Sequence, residues 1–195
     1  MEFEAVVRRR RIVRQFSSEP VDDAVLDRIV AIAQRSPSAG FSQGQRLVVI
    51  TDAEVKRRVG VIAGDDEYEA RGFGRWVGQA AALVVPCVSE QVYRDRYAEP
   101  DKRNPDGSVI DWPIPYWWMD IGCTVMLVLL AVVDAGLAGG FTGGDPDELR
   151  AELGIPADYA PVGVIPLGHP LPDKRSPSLA RGWVTSEGFA RRDHW

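Results

Sequence analysis

The stretch YWWMDIGCTVMLVLLAVVDAGLAGGFTGGDPDELRAEL, residues 116–153, decides the fold. Tyr116 to Asp134 is apolar nearly all round and meets a stop at Gly136. That pattern predicts a central core helix ended by a glycine. Gly139 to Gly144 reads as a strand running into a glycine-rich turn. Asp145 stands ready to cap a helix over Pro146 to Leu153, with Pro146 at its first position.

Working toward the N-terminus, Ala81 to Val88 reads as a buried strand interrupted by Pro86, and Leu47 to Ile50 as another. Asp52 to Val61 reads as a helix, and a short one is expected around Val92 to Tyr97. Gly64 to Trp76 is polar and irregular. Asp22 is a plausible cap for a helix whose Leu26, Ile29, Val30 and Ala33 share one face, ending near Ser36-Pro37. A first helix covers Phe3 to about Arg10. Toward the C-terminus, Val162 to Leu167 is a third strand, and the chain from His169 onward is Pro-, Ser- and Arg-rich. Mixed helices and strands without repeat or linker predict one α+β or α/β domain over residues 1–195. So long a structureless tail makes sense if it wraps a partner subunit.

The chain of 195 residues is long enough for a sizeable core, and its net charge of −5 disfavours nucleic acid as a partner. Cys87 and Cys123 lie in apolar runs and read as buried free thiols rather than a disulfide. His169 and His194 are not at ligand spacing, so no metal site is expected. The run Ile121 to Ala135 is too short to span a bilayer, and the first residues carry no apolar leader. A cytoplasmic protein without membrane association is the expectation.

Five groupings are candidates to carry chemistry. Arg10, Arg11 and Arg14 suit a phosphate or a ring edge with partial negative charge, but taken alone they read as a solvated basic face at a helix end. Ser36 to Gln43 combines small residues with hydroxyls and an amide, as an ordinary loop also does. Gly139 to Gly144 lets backbone N–H groups face a planar molecule, but it lacks dinucleotide and P-loop spacing. Lys174, Arg175 and Arg181 make a phosphate cradle or a basic tail. Trp112, Tyr116 and Trp117 line a pocket for a flat molecule or pack a core or interface. No Ser-His-Asp set, carboxylate pair or Cys-His pair is legible.

Taken in order, these groupings resemble the nitroreductase family. Arg10-Arg11-Ile12-Val13-Arg14-Gln15-Phe16 is similar to its opening R-R-S-x-R-x-F pattern. Ser36-Pro37-Ser38-Ala39-Gly40-Phe41-Ser42-Gln43-Gly44-Gln45 is similar to A-P-S-A-G-N-x-Q-P-W. The glycine turn, Gly154-Ile155-Pro156, Pro161 to Pro170 and the basic tail follow in the family's order, from about residue 8 to residue 181.

The resemblance implies a central, mostly antiparallel sheet flanked by helices, an intimate homodimer, and FMN at the subunit interface. It places Arg10 and Arg11 near the phosphate or ribityl chain and Arg14 near the pyrimidine side of the ring. Ile12 stands at the family's Ser, so only a backbone contact survives there. Pro37, Ser38, Ala39 and Phe41 approach the flavin from the other subunit, and Thr142, Gly143 and Gly144 lie against the ring. Lys174, Arg175 and Arg181 are phosphate candidates, and Trp112, Tyr116 and Trp117 the substrate-side wall. The implied reaction passes hydride from NADH or NADPH through flavin N5 to a small flat acceptor, nitroaromatic or quinone-like, by a ping-pong route. Phe41 replaces the family's Asn, and Gly44-Gln45 replaces Pro-Trp. The Gly40 to Gln43 string also resembles flavin-destroying enzymes that form a benzimidazole. The same resemblance is compatible with a natural-product dehydrogenase and with a flavin-binding protein of little turnover.

Overall fold

In a computed structural model, residues 1–72, 74–173 and 176–195 are described. The phosphate candidates Lys174 and Arg175 lie outside them. Eight helices are α1 (Phe3–Arg9), α2 (Asp23–Ala33), α3 (Ala53–Ile62), α4 (Asp65–Ala70), α5 (Glu90–Tyr97), α6 (Tyr116–Asp134), α7 (Pro146–Leu153) and α8 (Ser186–Phe189) among the described residues. The strands are β1 (Gln45–Ile50), β2 (Ala82–Val88), β3 (Ala138–Gly139), β4 (Ala160–Pro161) and β5 (Ile165–Gly168). They form one antiparallel sheet in the order β1-β2-β5-β3, with β4 also on β2.

Alternation along β2 builds the core on both faces of the sheet. Ala82 and Val84 meet Leu26, Ile29, Val128 and Val132 of α2 and α6. Leu83, Val85 and Cys87 meet Val59 of α3 and Leu149 of α7 on the other side. Pro86 does not break this strand. Its carbonyl accepts Val162 N–H at 2.9 Å, so its missing N–H also faces the β4–β5 side. There the register slips by one residue, from Val84 opposite Ile165 to Cys87 opposite Pro161. Gly163 supplies the bulge at φ 143°. The strand expected over Val162 to Leu167 is therefore β5 alone, Ile165–Gly168, with β4 set before the bulge at Ala160–Pro161.

Several expectations hold. Asp22 and Asp145 cap their helices with side-chain oxygens; Asp52, expected as the first residue of its helix, caps α3 instead. The 19-residue α6 has the expected bounds, and Gly136 follows it at φ 81°. Others need correction. Residues 64–76 contain α4, because Asp65 is buried and gives the segment an internal anchor. Val49 is exposed because β1 is an edge strand. The helix α6 is not enclosed all round: Trp118, Met119, Cys123 and Met126 are exposed along one flank, beside which α1 shows Phe3 and Val7. Cys123 is thus an exposed thiol, and only Cys87 is buried. By length and composition α6 is apolar enough to cross a membrane, contrary to the sequence expectation, but half of that window is buried within the protein. Beyond Asp173 the chain adds a 3₁₀ turn at Pro177–Arg181 and α8, and it displays Trp183 and Phe189 at 89% and 85% exposure.

Candidate active site

The basic segment leaves α1 and runs extended beside β3. Ile12 forms a parallel bridge with Gly139, and Val13 N–H donates to Gly139 O at 3.2 Å. Side chains of an extended segment alternate. Val13 is buried, and Arg11 lines a small cavity of about 190 Å³ with Arg9, Gly136 and Ala138. Arg10, Ile12 and Arg14 take the other side. The Arg14 guanidinium lies over the Trp76 ring, 5.4 Å from its centroid. Its backbone N–H donates to Asp173 Oδ2 at 2.8 Å, which ties in the start of the tail.

Trp76 is the platform that joins the pieces. Its ring packs edge-on against Tyr68 at 5.8 Å. A Cβ on Gly140 would lie 2.6 Å from Trp76 Cζ3, so only glycine admits the ring. The buried Trp76 Nε1 has no hydrogen-bond partner among the described residues. Asp65 fixes the turn that carries Trp76: its carboxylate accepts Val77 N–H at 2.9 Å and Gly78 N–H at 2.7 Å. Burial pushes the Asp65 carboxyl above its ordinary range, with those two hydrogen bonds opposing.

The glycine turn lies next along the chain. Thr142 exchanges both backbone hydrogen bonds with Val164, at 3.0 and 2.9 Å. The bulge at Gly163 is required here, since a Cβ would sit 2.5 Å from Thr142 O. Gly143 has open space where its Cβ would be. Thr142, Gly143 and Gly144 line a cavity of about 310 Å³ with Tyr68 and Arg71.

The Pro37–Phe41 loop is built elsewhere. Asp120, an acid set in the first turns of the apolar helix α6, accepts Ala39 N–H at 2.8 Å and Tyr93 Oη–H at 2.9 Å. Arg96 Nε donates to Gly40 O at 3.1 Å, and the same guanidinium pairs with Asp101 and Glu99. Arg96 holds the Asp101 carboxyl down at about 2. Tyr97 lies under Gly40 and Tyr93 under Gly44, where a Cβ would come within 2.6 Å of each ring. Gly44 is therefore the residue that Tyr93 requires at the family's Pro position.

Of the aromatic group, Trp117 points inward and is buried against Tyr93, at 6.3 Å between centroids. Trp112 is half-buried between Tyr97 at 4.3 Å and Tyr116 at 5.4 Å, and Tyr116 is exposed. Arg181 ends an exposed 3₁₀ turn with no ion pair among the described residues.

One chain brings Arg14 and Gly140 to Trp76, and Tyr68, packed on Trp76, lines the cavity of Thr142, Gly143 and Gly144. It holds Pro37, Ser38, Ala39 and Phe41 apart from them. The loop is fastened at Asp120 in the first turns of α6, while the basic segment borders Val133 and Gly136 at its far end. The helix rise separates these anchors by roughly 20 Å. Reading the sequence missed Trp76, Asp65, Asp120 and Tyr93. An acid flanked on both sides by apolar helix was the legible signal for Asp120.

The donor set fits an anionic, planar cofactor. Among the described residues the guanidiniums of Arg10 and Arg14 pair with no carboxylate, as is also true of Arg9, Arg35, Arg46, Arg71 and Arg103; of these, Arg14 lies over Trp76. The orphaned Trp76 Nε1 lies in the same group.

Comparison with known proteins gives the same direction. The model of the "Nitroreductase family" matches residues 7–169. A protein of Archaeoglobus fulgidus named "Putative NADH dehydrogenase/NAD(P)H nitroreductase" is 26% identical, over 85% of this chain and 83% of that one. An iodotyrosine deiodinase of Nematostella vectensis is 28% identical, over 92% and 71%. The solved NADPH:FMN oxidoreductase of Vibrio harveyi, complexed with NAD+, superposes with a TM-score of 0.74 at 20% identity, over 99% of this chain and 77% of that one.

Proposed function

The chain belongs to the nitroreductase family, and on that premise we propose that it is an FMN-dependent, NAD(P)H-oxidising oxidoreductase working as a cytoplasmic homodimer on small flat acceptors. The observation that carries the reading is the guanidinium of Arg14, stacked on Trp76 beside the open glycine turn and paired with no carboxylate among the described residues. When bound, FMN supplies a ring nitrogen that takes hydride from the nicotinamide donor and passes it on to the acceptor.

The residues do the rest. Arg10 meets the phosphate and ribityl end, with the tail cations Lys174, Arg175 and Arg181 as further phosphate partners. Arg14 places fixed positive charge at the pyrimidine side, where reduction gathers negative charge. Thr142, Gly143 and Gly144 present backbone without side-chain obstruction to the ring. Pro37, Ser38, Ala39 and Phe41 serve the flavin of the second subunit, which is why one chain can hold them at the opposite end of α6 from its own basic segment. The exposed flank of α6 and the aromatic tail supply the apolar surface that such a dimer covers.

The test is the visible spectrum of the purified protein, identification of the released cofactor, and stopped-flow mixing with NADH and NADPH. FMN near one per subunit and rapid bleaching by a donor are expected. A protein that takes up no flavin would overturn the reading, and one that binds FMN but bleaches slowly would be a flavin store.

A further inference from the structure

Phe41 combines two unfavourable features. It is 77% exposed, and its backbone adopts φ 57°, the left-handed region that β-carbon sterics disfavour. Gly40 before it (φ 61°) and Gln43 after it (φ 54°) share that region, so the loop is strained at two non-glycine positions. Such strain persists only where the surroundings over-determine it. Here they do: Asp120 takes the Ala39 N–H, Arg96 holds Gly40 O, Ser38 Oγ accepts Gln43 N–H at 2.9 Å, and Tyr97 fills the space above Gly40. The described residues of the chain leave uncovered the ring that this scaffold lifts out. A glycine or asparagine would relieve the backbone and remove the exposed aromatic at once.

We infer that Phe41 is a specificity-determining residue, presented by the Asp120-anchored loop as an aromatic wall for the acceptor at the second subunit's flavin. The inference rests on the flavin-enzyme reading above. An aromatic face at the position of the family's Asn, where the amide's polar contact beside the flavin is lost, selects planar acceptors that stack.

The experiment compares wild type, Phe41→Gly, Phe41→Asn and Phe41→Tyr with two acceptors. 1,4-Naphthoquinone is planar and takes two electrons and two protons to its hydroquinone, supplied by one NAD(P)H and one solvent proton. Ferricyanide does not stack, and two of its ions take the same two electrons one at a time. The quantity read is the ratio of kcat/KM for quinone to that for ferricyanide. It should fall about tenfold in Phe41→Gly and Phe41→Asn, and stay near wild type in Phe41→Tyr. Meanwhile Tm in Phe41→Gly should rise by about 2 °C, because strain is released. An unchanged ratio, or a Phe41→Gly protein that dissociates to monomers or melts lower, would make Phe41 a packing residue and overturn the inference. Wild type that oxidises no NAD(P)H with either acceptor would instead sink the enzyme reading.

Discussion

Tyr93 Oη donates to Asp120 Oδ2 at 2.9 Å, and the same oxygen accepts the Ala39 N–H at 2.8 Å. One buried carboxylate therefore joins α5, α6 and the loop that carries Phe41. Burial and then this hydrogen bond push the Tyr93 phenol far above its ordinary range, so it remains a neutral donor at every working pH. Tyr93→Phe keeps the ring under Gly44 but removes one partner of a charged acceptor. It should cost about 1.5–3 kcal/mol in urea unfolding, with an unchanged m-value. A cost near zero would mean that Ala39 alone satisfies the carboxylate.

Alternation along residues 10–14 separates arginines that look equivalent in sequence. Arg14 lies on Trp76, while Arg11 lines the cavity on the opposite side. Arg14→Ala should weaken FMN binding by about tenfold or more, and Arg11→Ala by less than about threefold. Titration of apoprotein with FMN, followed by flavin fluorescence, measures both. Equal losses would place both guanidiniums on the cofactor and defeat the alternation argument.

Two glycines of the turn should respond in opposite ways. Gly140→Ala drives a methyl into Trp76 and Val13 O, an overpacking worth about 1–3 kcal/mol of stability. Gly143→Ala meets open space, so its stability should hold within about 0.5 kcal/mol while FMN affinity drops. Melting curves of the apoproteins and flavin titrations separate the two effects. If Gly143→Ala binds FMN as wild type does, the turn does not face the ring.

How much of this was legible depends on the range of the forces involved. Helix caps at Asp22 and Asp145, and the bounds of α6, were legible because they rest on residues a few positions apart. The order of the motifs indicated the family. The Trp76 platform was not legible, since Arg14, Asp65, Trp76 and Gly140 meet only in the folded chain. Gly44 looked like a weakening of the family motif, yet it is the space that Tyr93 occupies. The outward flank of α6 was hidden for a different reason: an apolar helix reads the same whether its neighbour is its own core or another subunit.

Asp65 gives a pH dependence with a definite sign. Its carboxyl is raised above the ordinary 3.8, chiefly by burial. The folded state therefore holds the proton more tightly than the unfolded chain. The stability this contributes is present in full below the unfolded value and is lost as pH rises through the folded one. Asp65→Asn has no group to titrate there. The stability of wild type minus that of Asp65→Asn should fall as pH rises above the ordinary carboxyl value, in denaturant series at each pH. A difference that grows over that window would mean the two backbone hydrogen bonds outweigh burial.

The two thiols report on the proposed dimer without any assay of catalysis. Cys87 is buried in β2, and burial pushes its thiol up to about 11, so it should stay unmodified by iodoacetamide in the native protein. Cys123 is exposed in one chain, on the same flank of α6 as Met119 and Met126. If that flank is where two copies meet, association covers the thiol, and its alkylation must proceed through the dissociated chain. The rate should then rise on dilution as monomer accumulates, and mass spectrometry should find the label on Cys123 alone. Met126→Glu, which places a charge on the same flank, should make Cys123 react at the monomer rate at every concentration. A rate that is fast and independent of concentration in the wild-type protein would leave the flank facing solvent, and the second subunit would have to dock on another face for the loop at Phe41 to reach its flavin.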